Sequence, residues 1–169
     1  SIDESTTAAS VYHQLGLCYA LSKKWSKAIS ALMKAKEIRT QEAGLIDAKV
    51  AQTLDSIGKV RIMQCQYDEA LVCHQHAIRS FQAAGVYNTA STLTNIANVH
   101  TATGNWTAAL TVLQEVCNLK KMGAVEAPAK AAAYKQTQQM MASIYETLGS
   151  PYPSYMLRQQ EDRRRRATS

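Results

Sequence analysis

The densest group of reactive side chains is Cys65…Cys73-His74-x-His76. Thiolates and imidazoles are the ligands zinc takes, in a closed tetrahedral set. On a helix, Cys73 and His76 stand at i and i+3 and share a face, so two ligands converge. Cys65 falls before the break that opens that helix, and His74 occupies a packed register held elsewhere by Leu32 and Leu113. No metal is expected, and Cys18, Cys73 and Cys117 read as small buried hydrophobes. No Gly-rich phosphate loop and no Ser/His/Asp phrasing occurs, and the acids are spread over exposed helix faces. This predicts no enzyme, no cofactor and no small-molecule substrate. Arg163–Arg166 is a concentrated cationic run that suits acidic protein, nucleic acid or simply the C-terminal end of a helix dipole.

The elements that would position these groups follow from composition. The 169 residues hold 46% apolar and 19% charged side chains, a globular balance. Three Pro and one Phe argue against sandwiches and barrels. No apolar run approaches the ~20 residues of a membrane span, and nothing resembles a signal peptide. Four scattered Cys suit a reducing compartment, the cytoplasm. The net charge is +6, and the segment Arg158–Ser169 carries five Arg against Glu161 and Asp162. A nearly neutral body with a basic tail does not predict a nucleic-acid partner, whose contacts would line a whole face.

The body repeats. Tyr12…Leu15-Gly16…Tyr19…Trp25…Ala28 is matched by Leu54…Ile57-Gly58…Arg61…Tyr67…Ala70 and by Leu93…Ile96-Ala97…His100…Trp106…Ala109. Gly16, Gly58 and Ala97 are 42 and 39 residues apart, and Trp25, Tyr67 and Trp106 keep those spacings. Ala35, Ala77 and Val116 repeat a second position. Large apolar residues at i, i+3 and i+7 beside a small one describe a helix face that a neighbouring helix approaches closely. Gly44, Gly85 and Gly123 are expected to end second helices in left-handed conformation. Each unit is then a pair of antiparallel helices that buries its apolar faces only by stacking. Met141-Ala142…Tyr145…Gly149 starts a partial fourth copy, with a first helix over about 129–148 and a short capping helix from Pro153 to about Arg163 that covers the end of the stack with Tyr155 and Met156.

These residues resemble the tetratricopeptide repeat: an apolar–small pair, an aromatic after a short break, and two Ala positions in the second helix. The resemblance covers about residues 5–149. The period near 40 exceeds the usual ~34 and is similar to the longer repeat of kinesin light chains. Thr92-Leu93-Thr94-Asn95-Ile96-Ala97 carries that phrasing of a helix start. The resemblance implies an all-α, right-handed superhelical array of antiparallel helix pairs, an α-solenoid. The expected layout is an array over 1–157, with repeats at about 9–44, 51–85, 90–123 and 129–157, followed by a partly disordered basic tail over 158–169. Three full repeats are few, so the protein is expected to continue beyond both ends.

The resemblance also implies a function: a protein or peptide partner held along the concave face lined by first helices. The candidate groove residues are His13, Gln52, Asp55, Ser56, Lys59, Asn95 and Asn98. An Asn at the position of Asn95 often bonds a bound peptide's backbone in such repeats, offering both donors and an acceptor. The carboxylate clamp of co-chaperone repeats would fall on His13, Leu17, Ser56, Ser91 and Asn95, a set without an obligate cation, so that partner class is not expected. The expected role is an adaptor or scaffold, within a larger multi-protein complex. The alternative is a static architectural subunit of a large assembly, ciliary or cytoskeletal, without a peptide ligand.

Overall fold

The computed structural model describes residues 2–43, 47–87, 89–124 and 128–149. Among them are seven helices: α1 (Ile2–Leu21), α2 (Trp25–Ala43), α3 (Ala48–Met63), α4 (Tyr67–Ala83), α5 (Ala90–Ala102), α6 (Trp106–Ala124) and α7 (Pro128–Thr147). No strand is present among the described residues. The chain forms two compact units, Ser1–Val112 and Leu113–Ser169, whose boundary falls inside α6.

In the first unit, α1 packs on α2 and α3 on α4, while α2 and α4 also meet the helix that follows each of them. The small positions make the pairing tight. A Cβ at Gly16 would lie 2.6 Å from Leu32 Cγ, and one at Gly58 would lie 2.6 Å from His74 Cε1. The α1–α2 pair joins the next through a cluster of Ala20, Ala28 and Leu32 with Ile57 and Val60, on which Tyr19, Trp25 and Cys73 pack. Asp47 caps α3, accepting from the backbone N–H groups of Lys49 (2.7 Å) and Val50 (3.2 Å), which satisfies two donors that the first turn leaves unpaired.

The turns inside the pairs share one geometry. Lys23, Cys65, Gly104 and Gly149 occupy matching places and all have positive φ (57°, 59°, 73° and 63°). After each of the first three, the next N–H reaches back five residues, from Lys24 to Tyr19, Gln66 to Arg61 and Asn105 to His100, at 2.8–2.9 Å. This is the Schellman closure of a helix C-terminus. Gly85 (φ 76°) ends α4 in the same way, as its sequence position implied. Gly123 does not end a helix, because α6 runs on to Ala124. Gly44, the capping helix from Pro153 and the tail over 158–169 lie outside the described residues.

A polar staple recurs between pairs. Arg39, near the end of α2, donates through Nη1 to Thr53 Oγ1 on α3 and to the Lys49 carbonyl (2.9 Å), and the Thr53 hydroxyl donates to that same carbonyl at 2.8 Å. In the second unit Lys120 Nζ donates to Thr137 Oγ1 (3.0 Å) and the Ala133 carbonyl (3.4 Å), and Thr137 donates back to Ala133 (3.1 Å). Arg39 and Lys120 stand at the same repeat register, as do Thr53 and Thr137. The intervening copy has Phe81 at the cation's place and Thr92 at the threonine's. The second unit also buries Leu113, Val116, Cys117, Tyr134, Met141 and Ile144, with Cys117 Sγ 3.8 Å from Met141 Sδ.

Three substitutions separate close packing from backbone conformation. Gly16→Ala gains about 1 kcal/mol of helix propensity but forces Leu32 aside, for a net loss of about 1–2 kcal/mol. Gly104→Ala meets no atom within 4 Å, yet loses about 1 kcal/mol from its positive φ. Cys65→Gly relieves the same conformation and gains about 0.5–1 kcal/mol. Thermal melting of the three variants, followed by circular dichroism, checks the signs: two midpoints fall and one rises.

Candidate functional site

The candidate groove is written on the first helices of the pairs. On α3, Gln52, Asp55, Ser56 and Lys59 recur at spacings of three, four and seven, which places them along one side of the helix. Asn95 and Asn98 stand at i and i+3 on α5, and His13 lies on α1.

Asp55 is the node. Its carboxylate accepts from His74 Nδ1 (2.9 Å) and Asn95 Nδ2 (3.2 Å) on one oxygen, and from Lys59 Nζ (2.8 Å) on the other. Burial by itself raises this carboxyl, but hydrogen bonds from His74 and Lys59, with the charge of Lys59, pull harder and hold it at about 2. An ionised carboxylate only accepts, so His74 carries its proton on Nδ1. His74 is fully buried and its Nε2 has no hydrogen-bond partner, because that edge of the ring lies against Gly58. A carboxylate held near 2 and engaged on both oxygens is unsuited to proton transfer near neutral pH. Its work is positional: it ties α3, α4 and α5 together.

His13 is buried rather than displayed. Its Nδ1 lies 3.4 Å from Arg39 Nη1 and 3.4 Å from Thr53 Oγ1, so the imidazole extends the staple between α2 and α3. Burial, then the charges of Arg39 and Lys59, push its pKa down. Ser56 is buried too and donates to the Gln52 carbonyl at 3.0 Å. Gln52, Lys59 and Asn98 are exposed. The structure therefore brings Asp55, Lys59 and Asn95 into one hydrogen-bonded group, leaves Gln52 and Asn98 on the surface, and sets His13 and Ser56 beneath it.

Sequence reasoning placed His74 in a packed register, where it is buried, but did not see it as a donor to Asp55, and it passed over Arg39 and Thr53. For His74 the signal was present: a polar side chain at a register that is leucine in two other copies. For Arg39 and Thr53 it was the repetition of a cation and a threonine at Lys120 and Thr137. Cys73 is half-buried, with burial pushing its thiol up, and Cys117 is buried, whereas Cys18 is exposed, contrary to expectation. A thiol in the last turn of α1 faces solvent because the apolar stripe there passes through Tyr19 and Ala20. Among the described residues no three His, Cys, Asp or Glu side chains converge on a metal-sized site, and no helix is long and apolar enough to cross a membrane.

The tetratricopeptide-repeat family model matches residues 7–83 and 49–122, more than half of the chain. The chain belongs to the tetratricopeptide-repeat family. A search of the curated proteins finds no match. Among solved structures, BtubC (BKLC) from P. vanneervenii superposes with a TM-score of 0.74 at 16% identity, over 83% of this chain and 56% of that one. A Podosopora anserina kinesin light chain with nearly identical TPR-like repeats superposes at 0.68 and 17% identity, over 86% of this chain and 68% of that one. A point variant of that same protein gives the same values. At such identities the likeness is one of fold: helix pairs of the tetratricopeptide type, resembling kinesin light chain repeats. The chain spans little more than half the length of BtubC.

The buried groups make acid stability a test of the wiring. Asp55 has its folded pKa below the ordinary 3.8. Its contribution is complete above that value and is lost as pH falls towards about 2, amounting to about 2 kcal/mol. His13 is lowered from 6.5, so its contribution is present above 6.5 and is lost as pH falls through the folded value. Urea unfolding across pH 7 to 2 is expected to show Asp55→Asn flattening the lower window and His13→Gln the upper one. Identical slopes in parent and variants contradict the assignment.

Proposed function

We propose that this chain is a protein-binding module, an adaptor or scaffold that takes a peptide or helix of a partner protein along the first-helix groove. The carrying observation is the row of Gln52, Lys59 and Asn98, exposed on α3 and α5 above a carboxylate that holds both helices in place. Fixed polar groups beside apolar Ile62 and Met63 suit a peptide whose backbone is hydrogen-bonded and whose side chains supply contact area. Membership of a repeat family built for stacking, and its likeness in fold to a kinesin light chain's repeats, support a binding rather than catalytic role. His13, Asp55 and Ser56 shape the groove from below, and Asn95 lies at its edge with its amide given to Asp55. Because Asp55 is neutralised by Lys59, the groove as proposed is polar and weakly charged, without the cation set that captures a terminal carboxylate. The proposed setting is cytoplasmic, with protein partners and neither nucleic acid nor a small-molecule substrate.

The double variant Gln52→Ala, Asn98→Ala alters only exposed side chains, so its melting midpoint stays within about 3 °C of the parent. Affinity capture from lysate with mass spectrometry is expected to lose the parent's partners. A variant that still captures all of them ends the groove reading and favours an architectural subunit that leaves these side chains without a ligand. Asn95→Ala and Lys59→Gln are poorer choices, because each removes a donor from the buried Asp55 and so perturbs stability.

A further inference from the structure

His13 lies where α1 packs against both α2 and α3. It is buried, as are its neighbours Arg39 of α2 and Thr53 of α3. Its Nδ1 is 3.4 Å from Arg39 Nη1 and 3.4 Å from Thr53 Oγ1. These contacts assign its proton. A guanidinium only donates, and the hydroxyl hydrogen of Thr53 goes to the Lys49 carbonyl at 2.8 Å. Nδ1 is therefore the acceptor of the group, and the neutral ring keeps its proton on Nε2.

A proton on Nδ1 turns that acceptor into a donor facing the donors of Arg39. It also sets two cations side by side out of water, which disfavours the charged ring. Burial and two positive charges, Arg39 from α2 and Lys59 from α3, hold the imidazole below its ordinary 6.5. The carboxylates of this region serve other cations. Asp55, at the same repeat register on α3, accepts from Lys59 and His74, while Asp47 and Glu42 act on Arg39. Arg39 Nε is itself buried without a hydrogen-bond partner, so water reaching the cluster would satisfy it too. The fold says where water enters. The α1–α2 contact is extensive and closed by Leu32 against Gly16, whereas the seam of α2 with α3 is smaller and α1 meets α3 only lightly.

We propose that His13, Arg39 and Thr53 form an acid-sensitive latch between the α1–α2 pair and the α3–α4 pair. The latch is closed while His13 is neutral. When His13 takes a proton, the seam between α2 and α3 opens to water and each helix pair stays folded. The latch does not rest on the groove reading, because Gln52, Lys59 and Asn98 stand on α3 and α5, which Asp55 and Asn95 hold together beyond that seam.

Closed, His13 titrates below 6.5; open, it titrates near 6.5. The latch is therefore fully closed above 6.5 and weakens as pH falls through the folded value. Within that window one proton raises the open population about tenfold per pH unit. NMR on the whole chain from pH 8 to 5 tests this. The His13 ring signal is expected to titrate below 6.5. Hydrogen-exchange protection in α2 and the first turns of α3, corrected for the intrinsic pH dependence of exchange, is expected to fall with that same titration. These amides exchange through a partial opening, so urea accelerates them less than it accelerates the amides of α5. His13→Gln keeps an acceptor and takes no proton, so its protection in α2 loses the pH dependence. Where His13→Gln does not fold, the parent's titration and the comparison of α2 with α5 decide. A His13 midpoint at 6.5 or above, protection in α2 that ignores pH, or a His13→Gln protein that keeps the parent's response overturns the latch. Equal urea dependence in α2 and α5 overturns it as well, since the whole unit then opens together.

Discussion

The first unit depends on how closely two helices of a pair can approach. At Gly16 and Gly58 the opposing side chain already occupies the space a Cβ would need. That contact sets the interhelical distance, and the distance decides which side chains reach the next pair. Pairs held this closely bury Ala28, Leu32, Ala70 and Ala77 fully, yet each pair is still apolar on a remaining face. Stacking is the consequence, since a helix pair has no other partner for that surface.

Stacking by apolar area alone tolerates slippage, because one alanine-lined face resembles the next. The Arg39–Thr53 and Lys120–Thr137 staples oppose it. A cation taken out of water needs acceptors at fixed places, and a threonine turned back to its own i−4 carbonyl presents one lone pair in one direction. A pair shifted by one residue would strand the cation, at a cost of several kcal/mol. The net gain in stability is smaller than that penalty, so the staple acts chiefly on register. The middle copy, with Phe81 at the cation's place, relies on packing instead, and its Thr92 is buried.

The helices and their pairing were legible because they rest on local rules. A small residue beside a large one and an aromatic after a break each act within one or two turns, and the period near 40 repeats them along the chain. The turns were only half legible. Gly85 and Gly104 announce positive φ, but Lys23 and Cys65 adopt it without being glycine, because the Schellman hydrogen bonds of the closing helix offset the strain. The groove was legible as a set of positions and not as a set of states. Spacing placed Asp55, Lys59, Asn95 and Asn98 along neighbouring helices, but it could not say that Asn95 is turned to Asp55. That depends on His74, from the opposite helix of the pair, arriving beneath Asp55. Likewise His13 was read as lining the surface, and only the reach of Arg39 from α2 explains its burial.

His74 connects the close-approach rule to the surface. Its register demands a side chain that lies flat on Gly58, and leucine satisfies this elsewhere. An imidazole satisfies it as well while carrying a donor to the far side, where a carboxylate on α3 can use it. Once Asp55 is held ionised, Lys59 is drawn along the helix and Asn95 across from α5, so a core position decides the charge balance of an outer one. The result is a polar face with little net charge on α3 and α5. Salt screens exposed charges within about 8–10 Å and leaves apolar burial in place. Screening therefore loosens Lys59, whose ammonium is half-exposed, before it touches the buried bond from His74 to Asp55.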